Sequence, residues 1–121
     1  MKNINDCLID LKKSKFRANF HLKKKEYDYF AQKGYDKIKS HAFDFITKKL
    51  APAEPLNDGK QTPMHGHPVF IAQHATATCC RGCFEKWYHV PKHQPLTSAE
   101  IDFAVNLIMA WIEQDITEKQ N

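Results

Sequence analysis

Cysteine and histidine residues are concentrated in one short stretch of this sequence. Three of the four cysteines and three of the seven histidines lie between residues 65 and 83, and they are His65, His67, His74, Cys79, Cys80 and Cys83. Thiolates and imidazoles are the ligands that Zn²⁺ and iron prefer. In a reduced compartment, clustered Cys and His more often indicate a metal site or a reactive thiol than a disulfide framework. The block therefore predicts chemistry at a metal ion or at a thiol.

The spacing of these residues decides which of them could share one ion. Cys80 and Cys83 form a CxxC pair, which can chelate at a turn or at the start of a helix. Adjacent Cys79 and Cys80 point apart in a regular backbone, so both could bind one ion only where the backbone is irregular. In one continuous helix over residues 68–88, the histidines and the cysteines would lie on opposite sides. A shared site therefore requires a break between His74 and Cys79.

Capping residues indicate where that break would fall. Thr76 and Thr78 are weak helix formers, and Thr78 is the predicted N-cap of a helix that carries the cysteines. Pro68 suits the first turn of an earlier short helix, capped near His67. The sequence therefore predicts two short helices around the block.

We predict a metal site whose three or four ligands come from His67, His74, Cys79, Cys80 and Cys83. Zn²⁺ is the expected ion and iron is the second choice. Three protein ligands would leave a position for water and permit hydrolysis, whereas four would make the ion a structural tie. The spacing identifies no general base, which favours the structural role. Whether the protein is an enzyme stays open at this point.

Two other interpretations of the block compete with a metal site. A thiol-dependent enzyme would use Cys80 or Cys83 as nucleophile and His74 as base. A helix N-terminus and the nearby Arg81 would lower the thiol pKa in that case. The cysteines could instead be small buried residues of the core, which is the expected role of Cys7. The polar residues near the cysteines and histidines could form an anion pocket or donate hydrogen bonds to the metal ligands. They are Lys60, Gln61 and Arg81.

Apolar periodicity predicts the elements that position this block. Helices are expected over residues 4–13, 23–33 and 35–50, and a closing helix is expected from Thr97 to about residue 117. Residues 15–22 alternate loosely and are expected to form an irregular or extended connector. The predicted fold is mainly α, a compact bundle of about five helices with a long ordered loop that contains Cys and His. The chain is expected to be a single domain over residues 1–121, with a Lys-rich helical half (1–50), a loop and Cys/His block (51–83) and closing helices (84–118).

Composition and charge bound the class of protein. The 121 residues are 42% hydrophobic, 26% charged and 12% aromatic, which is typical of a globular domain and not of a disordered chain. No apolar run approaches the roughly 18–20 residues that span a bilayer. The first residues lack the apolar stretch of a signal peptide. We therefore expect a cytoplasmic protein that does not enter a membrane.

The formal net charge of +4 is unevenly distributed. Residues 1–50 have an excess of seven positive charges, whereas residues 51–121 have an excess of three negative charges. A basic half suggests a polyanion partner such as nucleic acid, although the lysines could equally be solvated helix faces. Because Arg occurs only at positions 17 and 81, any such contact is expected to be nonspecific. A nucleic-acid-associated module is the alternative to a metal-binding protein.

The Cys/His block also resembles the signature of a small bacterial family. The similar residues are those of the pattern GKQTPxxGHPVFxAQHATATCCRxC, which begins at Gly59 and ends at Cys83. The resemblance extends along nearly the whole chain, including Ser14–Arg17, Phe20–Leu22, Leu50–Pro55 and the closing helix with Trp111. That family is a domain of unknown function. The resemblance therefore implies membership and a bacterial source, but no activity.

Overall fold

The computed structural model describes residues 2–120, and all the regular structure within them is helical. The elements are α1 (Ile4–Lys13), α2 (Lys15–Ala18), α3 (Lys24–Lys33), α4 (Tyr35–Phe45), a π-helical turn (Ile46–Leu50), α5 (Pro68–Ala75), α6 (Arg81–Tyr88) and α7 (Ser98–Gln120). No strand occurs in these residues. The predicted mainly α fold is confirmed, with seven α-helices where about five were expected.

The connector between the first two predicted helices differs from its prediction. Residues 15–18 form α2, although the loose alternation of residues 15–22 suggested an irregular or extended segment. The Ser14 side chain causes the difference, because its hydroxyl accepts a hydrogen bond from the backbone N–H of Arg17 and caps the short helix. This cap fixes the direction in which the Arg17 side chain leaves the backbone.

The closing helix α7 lies at the centre of the fold, where it packs against α1, α4 and α5. Thr97 and Glu100 form the predicted capping box, in which each side chain accepts from the backbone N–H of the other residue. Burial extends beyond the predicted apolar stripe, since Phe103, Leu107 and Met109 are also buried. Helices on several sides of α7 account for this wider burial.

The loop between the π-helical turn and α5 has no regular secondary structure, yet polar side chains hold it in place. Asp58 accepts hydrogen bonds from the backbone N–H of Arg81 and from the Gln61 amide. Gln61 also accepts from the backbone N–H of Gly59 and donates to the carbonyl of Lys49. The loop is therefore anchored both to the π-helical turn and to the start of α6.

None of the helices in the described residues is both long enough and apolar enough to cross a membrane.

Candidate metal centre

The predicted break between the histidines and the cysteines is confirmed. Helix α5 ends at Ala75, and α6 begins at Arg81. Between them, Ala77 is buried and has a φ of 60°, in the left-handed region that side chains other than glycine seldom adopt. The Gln73 amide donates to the carbonyl of Thr78 and braces this turn. The irregular backbone required to bring adjacent cysteines together is present here.

Helix α6 is capped by a cysteine and not by the predicted threonine. Cys80 is the N-cap, and its Sγ accepts from the backbone N–H of Cys83 at 3.4 Å. Thr78 is buried instead, with its hydroxyl 3.0 Å from the hydroxyl of Thr76. The prediction was wrong because the turn at Ala77 delays the start of α6. Cys79 consequently precedes the helix, while Cys83 lies in its first turn.

The three sulfur atoms of Cys79, Cys80 and Cys83 lie within 4.8 Å of one another. We call these residues the sulfur cluster. Cys79 is buried, whereas Cys80 and Cys83 are half-buried. Within residues 2–120, no other set of three Cys, His, Asp or Glu side chains brings its ligand atoms this close. The sulfur cluster could therefore hold a metal ion.

Arg17 joins the sulfur cluster from the distant α2 helix. Its guanidinium donates to Sγ of Cys83 at 3.2 Å, to Sγ of Cys79 at 3.8 Å and to the carbonyl of His74 at 2.6 Å. The side chain is buried, with 8% of its surface exposed. Arg17 was not among the residues predicted for the site. A signal was available, because it is the only arginine in a half rich in lysine.

The cluster distributes its protons unequally. Hydrogen bonds from the thiols of Cys79 and Cys80, and then those from Arg17, lower the pKa of Cys83 far below its ordinary value. The same bonds between thiols, together with burial, raise the pKa of Cys79. Negative charge in the cluster is therefore stabilised first on the half-buried Cys83.

His67, a predicted ligand, lies outside the sulfur cluster and has no lone pair free for a metal. Its Nδ1 accepts from the backbone N–H of Val69 at 3.0 Å and caps α5. The neutral ring must then carry its proton on Nε2, which lies 3.0 Å from Nδ1 of His41 and donates to it. Burial lowers the pKa of His67 to about 4, and the nearby His41 adds to this effect.

His74, the other predicted histidine ligand, also lies outside the sulfur cluster. Its Nε2 is 3.1 Å from the carbonyls of Thr62 and Pro63 and donates to them. Its ring stacks on Phe20 with the centroids 5.7 Å apart. His74 contributes to the site through its backbone carbonyl, which accepts from Arg17. With its Nε2 proton held by carbonyls, that nitrogen is not the base that a thiol enzyme would need.

Most of the chain matches a known protein family. A family model described as a domain of unknown function, DUF4186, matches residues 5–113. The chain belongs to this family. The resemblance seen in the sequence is therefore confirmed at the level of the family. No solved structure matches the chain.

The three residues of the candidate anion pocket lie in two different environments in this DUF4186 domain. The Arg81 guanidinium donates to four backbone carbonyls, those of Leu50, Pro52, Pro91 and Gln94. Only 1% of Arg81 is exposed, and Gln61 is committed to the loop. Lys60 is exposed and lines an open groove together with Gln61, Lys48 and Lys49, and Arg81 is not among the residues that line it. The Arg81 guanidinium therefore supports the fold, and anion binding by Lys60 and Gln61 stays a prediction.

Several lysines of the basic half have acidic neighbours. Lys2 pairs with Asp10 and Lys12 pairs with Glu118, while Lys24 pairs with Asp28 at 2.7 Å. These pairs are exposed and weak, so they reduce the local positive potential without removing it. Binding of nucleic acid or another polyanion stays a prediction, as does the cytoplasmic location.

Proposed function

We propose that this protein binds one metal ion, Zn²⁺ before iron, through Cys79, Cys80 and Cys83. The convergence of three sulfur atoms within 4.8 Å carries the proposal. Thiolates around a tetrahedral Zn²⁺ lie roughly 3.8 Å apart, because each Zn–S bond is about 2.3 Å. Only a small contraction of the cluster would therefore be needed. Iron also accepts thiolate ligands but has broader geometric preferences.

The charge around the cluster supports a bound cation with three thiolates. Zn²⁺ and three thiolates together have one net negative charge, which the Arg17 guanidinium offsets. Arg17 already donates to the sulfur atoms of Cys79 and Cys83. Hydrogen bonds to ligating sulfurs orient them and tune the metal, and the partners that make them affect metal affinity. Arg17 thus serves as the charge-balancing residue of the proposed site.

Three protein ligands leave one position of a tetrahedral ion open. Structural zinc sites are usually closed by four protein ligands, whereas catalytic sites keep a position for water. His67 has no lone pair to offer, and His74 lies outside the cluster. The half-buried positions of Cys80 and Cys83 allow solvent to reach the ion. We therefore favour an ion with an exchangeable ligand, capable of hydrolytic chemistry, over a purely structural tie.

Metal analysis combined with thiol counting tests the proposal. The purified full chain should contain one zinc or iron ion, and its cluster thiols should resist alkylation until a chelator removes the ion. Ser substitution of Cys79, Cys80 or Cys83 should each lower the metal content. Cys7→Ala is the matched control, because Cys7 is buried in the core cluster and should not affect metal content. Metal-free protein that does not take up added Zn²⁺ or Fe²⁺ would overturn the proposal.

Metal-free thiol chemistry is the second candidate, and the lowered pKa of Cys83 favours it. A thiolate that persists at neutral pH reacts quickly with electrophiles. If this is the function, Cys83 should be alkylated by iodoacetamide much faster than the other cysteines in protein as purified. If the site holds a metal, the same rapid reaction should occur only after chelation. The two functions therefore give opposite results with untreated protein.

A further inference from the structure

An open groove of about 440 Å³ lies beside the sulfur cluster. Its walls include Arg17 of α2 and Lys86 and Trp87 of α6. Lys86 and Trp87 follow Cys83 by three and four residues, so all three lie on one face of α6. Arg17 donates to Sγ of Cys83 from the other wall. Arg17 therefore connects the groove to the sulfur of Cys83, which is not itself one of the residues that line the groove.

The groove has an excess of positive charge. Arg17, Lys86 and Lys2 line it, and Asp10 is the acidic residue among its lining residues. Asp10 pairs with Lys2 and also lies 3.9 Å from Lys13, so its negative charge is already offset. Lys86 makes no ion pair with the described residues. An anion that enters the groove would therefore meet Lys86, which no carboxylate neutralises, and Arg17, whose positive charge is shared with the sulfur cluster.

Two residues that line the groove keep hydrogen-bond donors after the contacts within the protein are made. A guanidinium has five N–H groups, and Arg17 makes hydrogen bonds to Cys79, Cys83 and the His74 carbonyl. Two N–H groups are thus left within the described part of the chain. The Ser14 hydroxyl accepts from the backbone N–H of Arg17, so its own proton can be donated elsewhere. These donors suit the oxygens of a carboxylate or a phosphate.

Two aromatic rings give the groove an apolar part. Phe16 has 58% of its surface exposed, which is unusual for a phenylalanine, and its ring lies 4.9 Å from the Arg17 guanidinium carbon. Trp87 is half-buried on the opposite helix. A flat apolar group could cover both rings while an attached acid group reaches Arg17.

We infer that this groove binds a small organic anion, with its carboxylate or phosphate on Arg17 and Lys86 and its flat apolar body against Phe16 and Trp87. Binding at this position would place the acid group of the ligand beside Arg17, which also contacts the sulfur cluster. The groove's role as a substrate site rests on the proposed metal function. Binding of the anion itself depends only on the groove and can be measured separately.

The test is a titration of the ¹⁵N-labelled full chain by NMR, with benzoate and phenyl phosphate as probes. The indole N–H signal of Trp87 should shift saturably, whereas that of Trp111, a buried residue of α7, should not. Benzyl alcohol lacks the charge and acetate lacks the ring, so the affinity of each should be lower than that of benzoate or phenyl phosphate by a factor of about ten or more. Whichever acid binds more tightly identifies the class as carboxylates or phosphate esters.

Variants separate the groove from nonspecific attraction of anions. Lys86→Ala should weaken benzoate binding about tenfold, whereas Lys60→Ala removes an exposed lysine of another groove and should leave binding unchanged. Equal effects of the two variants, equal binding of benzyl alcohol, or the absence of a saturable Trp87 shift would overturn the inference.

Repeating the titration after chelation distinguishes the two proposals. Anion binding by protein that never holds a metal would support the groove and refute the proposed function. A metal-loaded protein without a Trp87 shift would refute the groove alone.

Discussion

The regions around Arg81 and Arg17 both contain a buried arginine, but the partners differ in kind. Arg81 donates to four neutral backbone carbonyls. These carbonyls belong to the end of the π-helical turn, the following loop and the segment before α7, so Arg81 connects the three. Arg17 donates to two thiols and one carbonyl. Backbone carbonyls carry no charge in any state of the protein, whereas thiols can lose protons or bind a metal.

The difference indicates which region depends on the charge state of its partners. Four N–H groups of the Arg81 guanidinium donate to neutral carbonyls, and its buried Nε–H has no hydrogen-bond partner among the described residues. Arg17 faces sulfur atoms whose attraction for it grows when they become thiolates, alone or on a metal. The Arg81 region therefore belongs to the framework, and the Arg17 region reaches its most favourable state only with negative charge on the cluster.

Substitution of Arg81 should have the largest effect on stability. Arg81→Ala removes four hydrogen bonds from a charged donor, and at about 1–1.5 kcal/mol each the free energy of unfolding should fall by about 4–6 kcal/mol. Urea denaturation followed by circular dichroism measures this change. Arg81→Lys keeps the charge but cannot reach all four carbonyls, so it should also be destabilised. A loss below about 1 kcal/mol for Arg81→Ala would remove the distinction between the two arginines.

Substitution of Arg17 should affect metal binding more than folding. Arg17→Gln removes the positive charge beside Cys79 and Cys83, and Zn²⁺ affinity should fall about 10–100-fold. Competition with a chromophoric chelator measures the affinity. Arg17→Lys restores the charge without the two-nitrogen contact and should recover part of the loss. Unchanged Zn²⁺ affinity in Arg17→Gln, with a stability loss like that of Arg81→Ala, would show that both arginines are structural.

The helices and the break in the Cys/His block could be predicted because their signals are local. Apolar spacing marked α1, and the threonines marked a discontinuity after α5. The cap of α6 was misplaced by two residues, since the left-handed turn at Ala77 has no sequence signature of the kind that glycine provides.

The composition of the site could be predicted only in part, because its remaining contacts are distant in sequence. The three cysteines are neighbours along the chain, and their types alone suggested a site. Arg17 is 66 residues from Cys83, and nothing in local spacing connects them. The exclusion of His67 depends on a hydrogen bond to His41, 26 residues away. Residue type predicted which groups could ligate, while tertiary contacts decided which of them had lone pairs free.

His67 differs from both arginines, because it is a buried titratable group that is kept neutral. Its pKa is about 4 in the folded protein and about 6.5 in an unfolded chain, so on acidification the unfolded chain takes up this proton first. The associated stability is fully present above pH 6.5 and is lost as the pH falls towards 4. We expect the free energy of unfolding to fall by about 2 kcal/mol over this range, a value that already allows for partial solvation of the ring.

The measurement is the free energy of unfolding of wild type and His67→Gln at several pH values. His67→Gln should be less stable at pH 7 but should lack this part of the decline below pH 6.5. His93→Gln is the matched control, because His93 is exposed and pairs with Glu54 at the surface. Parallel pH curves for wild type and His67→Gln would show that the buried ring is not the titrating group.

Thr62 provides the smallest and most selective test, because it connects the long loop to the backbone of the sulfur cluster. Its buried hydroxyl donates to the carbonyl of Cys79 at 2.7 Å. Thr62→Val keeps the shape but leaves that carbonyl without this donor, so stability should fall by about 1 kcal/mol. Thr62→Ser retains the hydroxyl and should lose less. Since the proposed ligands are sulfur atoms balanced by Arg17, Zn²⁺ affinity in Thr62→Val should stay within about twofold of wild type. A tenfold loss of affinity in Thr62→Val but not in Thr62→Ser would place the loop, and not Arg17 alone, among the groups that hold the cluster in its metal-binding geometry.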